Sequence, residues 1–173
     1  MLIRENLPFR GAVVRVHVER AYDFDEKTGL WRYRQEEPDE VAHNLITNTG
    51  RVQLHTQDYG TSGLLSNGFN WIGLSNDATS PAATDTSLAS ELVGSGLSRV
   101  QGTVTLPTGS GNQTTIANTF TYTGGTSQAV QKTALFTAAG PPVNGVMNHE
   151  IAFTQRTLFT NDTITLTFTI TLG

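Results

Sequence analysis

"DTITLTFTITL", residues 162–172, decides the fold. Ile164, Leu166, Phe168, Ile170 and Leu172 alternate with polar residues, almost all of them threonine. A period of two is that of a strand with one buried face. Threonine is β-branched and suits the other face.

Reading backwards from that strand, the same pattern recurs. "HEIAFTQRTLF" (149–159) contains a second strand and "QAVQKTALFTA" (128–138) a third. "NQTTIANTFTYT" (112–123) alternates around Ile116, Phe120 and Tyr122. "LSRVQGTVTL" (97–106) alternates around Leu97, Val100, Val104 and Leu106, with Gly102 as a bulge or bend. "FNWIGL" (69–74) is a further strand. Between them stand 107–111, Gly124-Gly125 and "GPPVNG" (140–145), where proline presets φ and glycine permits positive φ. Short strands at near-regular spacing predict a mainly-β protein, an antiparallel β-sandwich or jelly-roll-like domain.

The N-terminal part reads differently. "AVVRVHVERAYDFD" (12–25) alternates Val14, Val16 and Val18 with Arg15, His17 and Glu19. "DEKTG" turns and "LWRYRQ" (30–35) returns, which predicts a charged β-hairpin projecting from the core. "EEPDE" (36–40) is an acidic linker. The expected division is an arm and hairpin over 1–40 and a β-sandwich domain over 41–173. One or two short helices are also expected. The first lies within 48–60, capped by Asn48 or Thr49 and stopped by Gly60, with a strand as the alternative. The second is a turn over 86–92 capped by Thr84 or Asp85, whose Leu88 and Leu92 pack back together.

Charge is unevenly spread. Residues 1–60 carry eight Lys and Arg and ten Asp and Glu, whereas the remaining 113 carry three and five. A solvated monomer spreads charge more evenly. The Thr-rich remainder is therefore expected either to face another protein or to be a plain polar sheet face. The net charge of −4 argues against a nucleic-acid partner, which needs a basic face. There is no cysteine, so disulfides and thiolate metal sites are excluded. No apolar run has the length of a signal peptide or a membrane span, so synthesis in the cytoplasm and no membrane partner are expected.

A search for chemistry finds no constellation. His17, His43, His55 and His149 share no spacing that would place two on one helix face. "DFDEKTG" (23–29) has the acidic look of a calcium loop, but Lys27 and Thr28 fall where an oxygen ligand and glycine are required, so it reads as a hairpin turn. "GSGLS" and "TGSGN" lack the lysine of a phosphate loop. Asp85 and Glu91 are six apart, on different faces of any helix. No enzyme activity, cofactor or metal is expected.

The chain order is similar to a group of tailed-bacteriophage virion proteins. The resemblance rests on "HNLITNTGR" (43–51), "WIGLSNDATSPAATDTSLASEL" (71–92), "KTALFTAAGPPVNGVMNHEIAF" (132–153) and "NDTITLTFTITL" (161–172), and covers roughly 40–173. It departs at Thr133-Ala134, where an acidic residue and glycine are usual, and at Asn148-His149, where arginine is common. The resemblance implies a structural virion role, with capsid-decorating (cement) proteins and tail-associated components as its two forms. A cement protein would sit on the virion as a homotrimer and bind the major capsid protein. The hairpin would reach onto the shell, with Arg15, Arg20, Arg32, Arg34 and Trp31 as contacts, because the arginine fork donates bidentately. Pro81, Ala82 and Ala83 would let a neighbouring subunit approach closely. The first alternative is a tail, collar, baseplate or fibre-attachment protein. The second is a carbohydrate-binding module for a host glycan, which requires aromatics on one exposed face.

Overall fold

The computed structural model describes residues 11–35, 38–43, 45–47, 68–105, 113–140 and 145–171. Eleven strands follow in order: β1 (Gly11–Asp25), β2 (Leu30–Gln35), β3 (Glu40–His43), β4 (Leu45–Ile46), β5 (Trp71–Ser75), β6 (Val100–Gln101), β7 (Thr103–Thr105), β8 (Gln113–Thr121), β9 (Gln128–Phe136), β10 (Met147–Leu158) and β11 (Thr163–Thr171). They form two antiparallel sheets. One runs β2-β1-β11-β8-β7, with β3 also on β1, and the other runs β4-β10-β9-β5-β6. The expected β-sandwich is the architecture observed. The 48–60 segment lies outside the described residues, and among the described residues there is no helix.

The alternation in β11 sets the first sheet. Ile164, Leu166 and Phe168 are fully buried between the sheets. Register places Val14, Val16 and Val18 of β1 beside them on one side, and Ile116 and Phe120 of β8 on the other. Ile72, Leu74, Leu135 and Ile151 complete the core from the second sheet. The outward face of β7, β8 and β11 is a ladder of threonines. Thr163 stands opposite Thr121, Thr165 opposite Thr119, Thr169 opposite Thr115, and none of the three strands carries a charge.

Gly102 is where the chain changes sheet. β6 pairs with β5 in the second sheet, and one residue later β7 pairs with β8 in the first. A Cβ at Gly102 would stand 2.6 Å from Ile116 Cγ2, and the Gly102 N–H is held by Asn70 O at 2.7 Å. The expected bend is thus a sandwich corner that only glycine fits.

Two boundaries differ from expectation. Residues 11–19 of β1 pair with β11, 13–16 of them also with β3, and they supply core valines, so a division at residue 40 cuts through the first sheet. The 86–92 segment is a series of turns rather than a capped helix. Asp85 accepts the N–H of Ala82, behind it in sequence, at 2.8 Å. Leu88 and Leu92 do not pack together: Leu88 joins Ala134, Phe136, Met147 and Trp71, whereas Leu92 packs on the main core.

Candidate functional site

Two features stand out above the sandwich: a projecting hairpin and a sealed charge cluster. The hairpin is the distal half of β1 with β2. Past Glu19, β1 leaves β11 behind and pairs only with β2, with a bulge between Ala21 and Asp23. The bulge frees one position and shifts the side-chain alternation. Phe24 thereby comes opposite Trp31, with ring centroids 5.2 Å apart, and Tyr33 lies two residues along on the same face. The turn is closed by Asp25, which accepts the N–H of Lys27 at 2.9 Å, and by Gly29 at φ 69°. Those backbone hydrogen bonds lower the Asp25 pKa. The acidic turn is therefore occupied by its own backbone.

Tyr22, Phe24, Leu30, Trp31 and Tyr33 are all exposed, with Leu30 at 67% and Trp31 at 40%. Large apolar side chains clustered on one exposed element mark an interaction site. The arginines expected to accompany them divide into two groups. Arg15 is exposed on the outward face, opposite Thr167 and Val41. Arg32 is exposed beside Asp23 and Asp25, and Arg34 stacks over the Tyr22 ring at 5.9 Å. Arg20 is turned inward instead. Its guanidinium lies 4.4 Å from the Phe159 ring, and its Nε is 3.8 Å from the buried Asp162 carboxylate. Arg20 anchors the base of the hairpin because it shares the face of Val14, Val16 and Val18. Pro81 and Ala83 are half-buried and Ala82 is exposed, on the loop between β5 and β6 rather than on the hairpin. The expected contact residues thus form two separate surfaces.

The charge cluster lies under that loop. Residues 76–91 lie over the outer face of the second sheet, and the chain then turns to the main core at Leu92 and Leu97. Glu91 bridges to Ser75, Leu92 N donates to Leu74 O at 2.8 Å, and Ser75 Oγ donates to Ala89 O. Arg99 grips Glu91 through Nε at 2.5 Å and Nη2 at 2.7 Å, and its Cζ stands over the Phe136 ring, 3.3 Å from the centroid. Beside this clamp, Lys132 is 1% exposed. Its Nζ is 2.6 Å from Asp77 Oδ2, 3.2 Å from Glu150 Oε1 and 3.2 Å from Thr79 Oγ1. Glu150 is equally buried, and its Oε2 makes no hydrogen bond.

Electrostatics distinguish the members of the cluster. Burial, and then the neighbouring Asp85 carboxylate, push Glu150 up to about 7 against the pull of Lys132. Hydrogen bonds from Lys132 and Thr79 hold Asp77 down at about 2. Burial acts to lower the Lys132 pKa, but Asp77 and Glu150 outweigh it and raise it. On the opposite face of β10, buried His149 is pushed down to about 4 by burial alone.

Sequence reading did not identify Lys132, Glu150 or Asp77. Their signal is rarity: the last 113 residues carry eight charges, and all eight stand in the fold. Arg99 pairs with Glu91, Lys132 with Asp77 and Glu150, Arg156 with Glu40, and Asp162 with Arg20. Asp85 is held by Ala82. The rest of the described surface of that two-thirds carries no charge, and Val93, Val100, Val104 and Phe159 are exposed on it. No family model, curated protein or solved structure matches the chain.

Proposed function

We propose that this chain is a structural, non-catalytic virion protein that decorates a capsid as a homo-oligomer, gripping the major capsid protein with the β1–β2 hairpin. The observation that carries the reading is the set of five exposed apolar side chains on that hairpin, beyond any core they could serve. Exposed aromatics next to arginines are the composition of an interface centre. Arg32, Arg34 and Arg15 meet acidic capsid surface, while Phe24, Trp31 and Tyr33 fill an apolar pocket. The threonine face of β7, β8 and β11 is where copies of the chain associate, because an uncharged flat face buries without desolvating ions. A homotrimer on a capsid three-fold axis is the assembly that fits this arrangement.

The test uses empty shells of the major capsid protein encoded by the same genome. Wild-type protein co-sediments with them. Phe24→Ser with Trp31→Ser weakens binding by roughly several hundred-fold, because interface aromatics are worth about 2 kcal/mol each. Unchanged binding by the double variant overturns the proposal. Deleting residues 1–35 is unsuitable, since it removes Val14, Val16 and Val18 from the core.

One observation favours a second reading. Trp31 and Tyr33 lie exposed on a single face, as a carbohydrate-binding module requires. Binding of the isolated protein to a glycan array, lost in Trp31→Ser, would favour that reading.

A further inference from the structure

The chain has no cysteine, yet a loop without regular structure, residues 76–91, must stay clamped on the second sheet. The hydrogen bonds and ion pairs above do part of this. The Lys132 cluster has a geometry that ion pairing alone does not require. Lys132 sits on β9, the middle strand of three. Its Nζ is flanked by Asp77, two residues past β5, and by Glu150 on β10. The amine therefore lies between a carboxyl group it can attack and a second carboxyl group, Glu150, which is itself backed by the Asp85 carboxyl.

We propose that Lys132 and Asp77 condense spontaneously into an intramolecular amide, with Glu150 as the proton relay. The balance needs no cofactor or oxidant. A lysine ammonium and an aspartate carboxylate contain all the atoms of one amide and one water. A proton first passes from Nζ to Asp77 along their hydrogen bond, an uphill transfer from the ion pair that leaves a neutral amine able to attack. The Nζ–Cγ bond then forms. Glu150 takes a second Nζ proton and passes it to the departing Asp77 oxygen, the Cγ–O bond breaks, and water leaves.

Three features of the site serve this reaction. Holding amine and carboxyl in contact converts a bimolecular condensation into a unimolecular one. Leu88, Ala134, Phe136, Met147 and Trp71 form an apolar cluster over the same face of the sheet, which keeps out the water that would reverse the step. Asp77 retains 15% side-chain exposure, while Lys132 and Glu150 have 1% each, so the product water has an exit on the Asp77 side. The bond would join β9 to the start of the loop, where a disulfide would serve in another protein.

The experiment is intact-mass spectrometry of the full-length folded protein after denaturation, followed by peptide mapping. The expected mass is lower than that of the sequence by one water, with peptides containing residues 77 and 132 joined. Lys132→Met and Asp77→Ala are expected at full mass. Glu150→Gln, checked for fold by circular dichroism, is also expected at full mass, and full reaction in it would overturn the relay role. A wild-type protein at full sequence mass overturns the proposal without reference to any variant. So does a water deficit that persists in Lys132→Met, which would mark an aspartate imide instead. Neither result bears on capsid binding.

Discussion

The Asp162 carboxylate accepts the backbone N–H of Ala21 at 3.1 Å, across a sequence separation of 141 residues. Ala21 sits at the β1 bulge, where the β11 ladder has ended. The carboxylate thus replaces the missing strand partner. Its other oxygen accepts the N–H of Phe159 at 2.8 Å and faces Arg20. One buried side chain fixes the bulge, and the bulge fixes which face carries Phe24 and Trp31.

Asp162→Ala is therefore predicted to destabilise the protein by about 2–3 kcal/mol, because two backbone donors lose their acceptor in a buried setting. Urea unfolding measures the loss. Hydrogen exchange at the Ala21 amide should rise more than the global change accounts for. An unaltered Ala21 exchange rate would mean that the hairpin base is held some other way.

The hairpin tip should behave in the opposite sense. Phe24→Ser with Trp31→Ser removes one exposed cross-strand pair and no core contact. The expected cost is below about 1 kcal/mol. A loss of the proposed shell binding in this variant would then report on docking and not on folding. A cost several times larger would show that the tip is packed on the body of the protein.

At the sandwich corner, Gly102→Ala is predicted to cost about 1–3 kcal/mol, since the new methyl overlaps Ile116 Cγ2. Ile116→Ala removes that atom. The double variant should be less destabilised than the sum of the singles, giving a coupling energy of at least about 0.5 kcal/mol. Strict additivity would exclude the overlap as the cause.

Two buried groups make opposing contributions to the pH dependence, and His17, raised by its hydrogen bond with Asp39, adds a smaller one in the direction of Glu150. His149 is lowered from 6.5 to about 4, so the unfolded chain binds its proton first, and stability falls as pH drops from 6.5 towards 4. The full effect is about 3 kcal/mol at about 1.4 kcal/mol per unit. Glu150 is raised from 4.5 to about 7, so its contribution is complete below 4.5 and is lost as pH rises through 7. Between these limits the two largely offset each other. His149→Leu should be more stable at pH 5 than at pH 8, and Glu150→Gln less stable at pH 5 than at pH 8, by urea unfolding. Two variants that keep the wild-type profile would refute the assignment.

Much of the fold was legible because β-sandwich strands with one wet face print their period directly. β8 and β11 do so, and the expected spans match the strands to within a residue or two. The hairpin at 12–35 was legible for the same reason, and "DEKTG" read correctly as its turn. What failed was tertiary. Val14, Val16 and Val18 alternate as hairpin residues do, and nothing local says that the same strand also lines the core. Lys132 and Glu150 alternate in phase as solvent-facing charges would, and only the loop folded over that face buries them. Loop 76–99 has no period from which such a cover could be read. Arg20 looked like its neighbours Arg32 and Arg34, but the parity of β1 turns it towards Asp162.

The proposed virion role is tested most directly by an electron-cryomicroscopy reconstruction of the particle that the genome encoding this chain is proposed to make. The sandwich is expected on the outer capsid surface in symmetric groups, with Phe24 and Trp31 buried against the major capsid protein. Finding the sandwich in the tail, collar or baseplate, or on the shell with that hairpin tip in solvent, would contradict it.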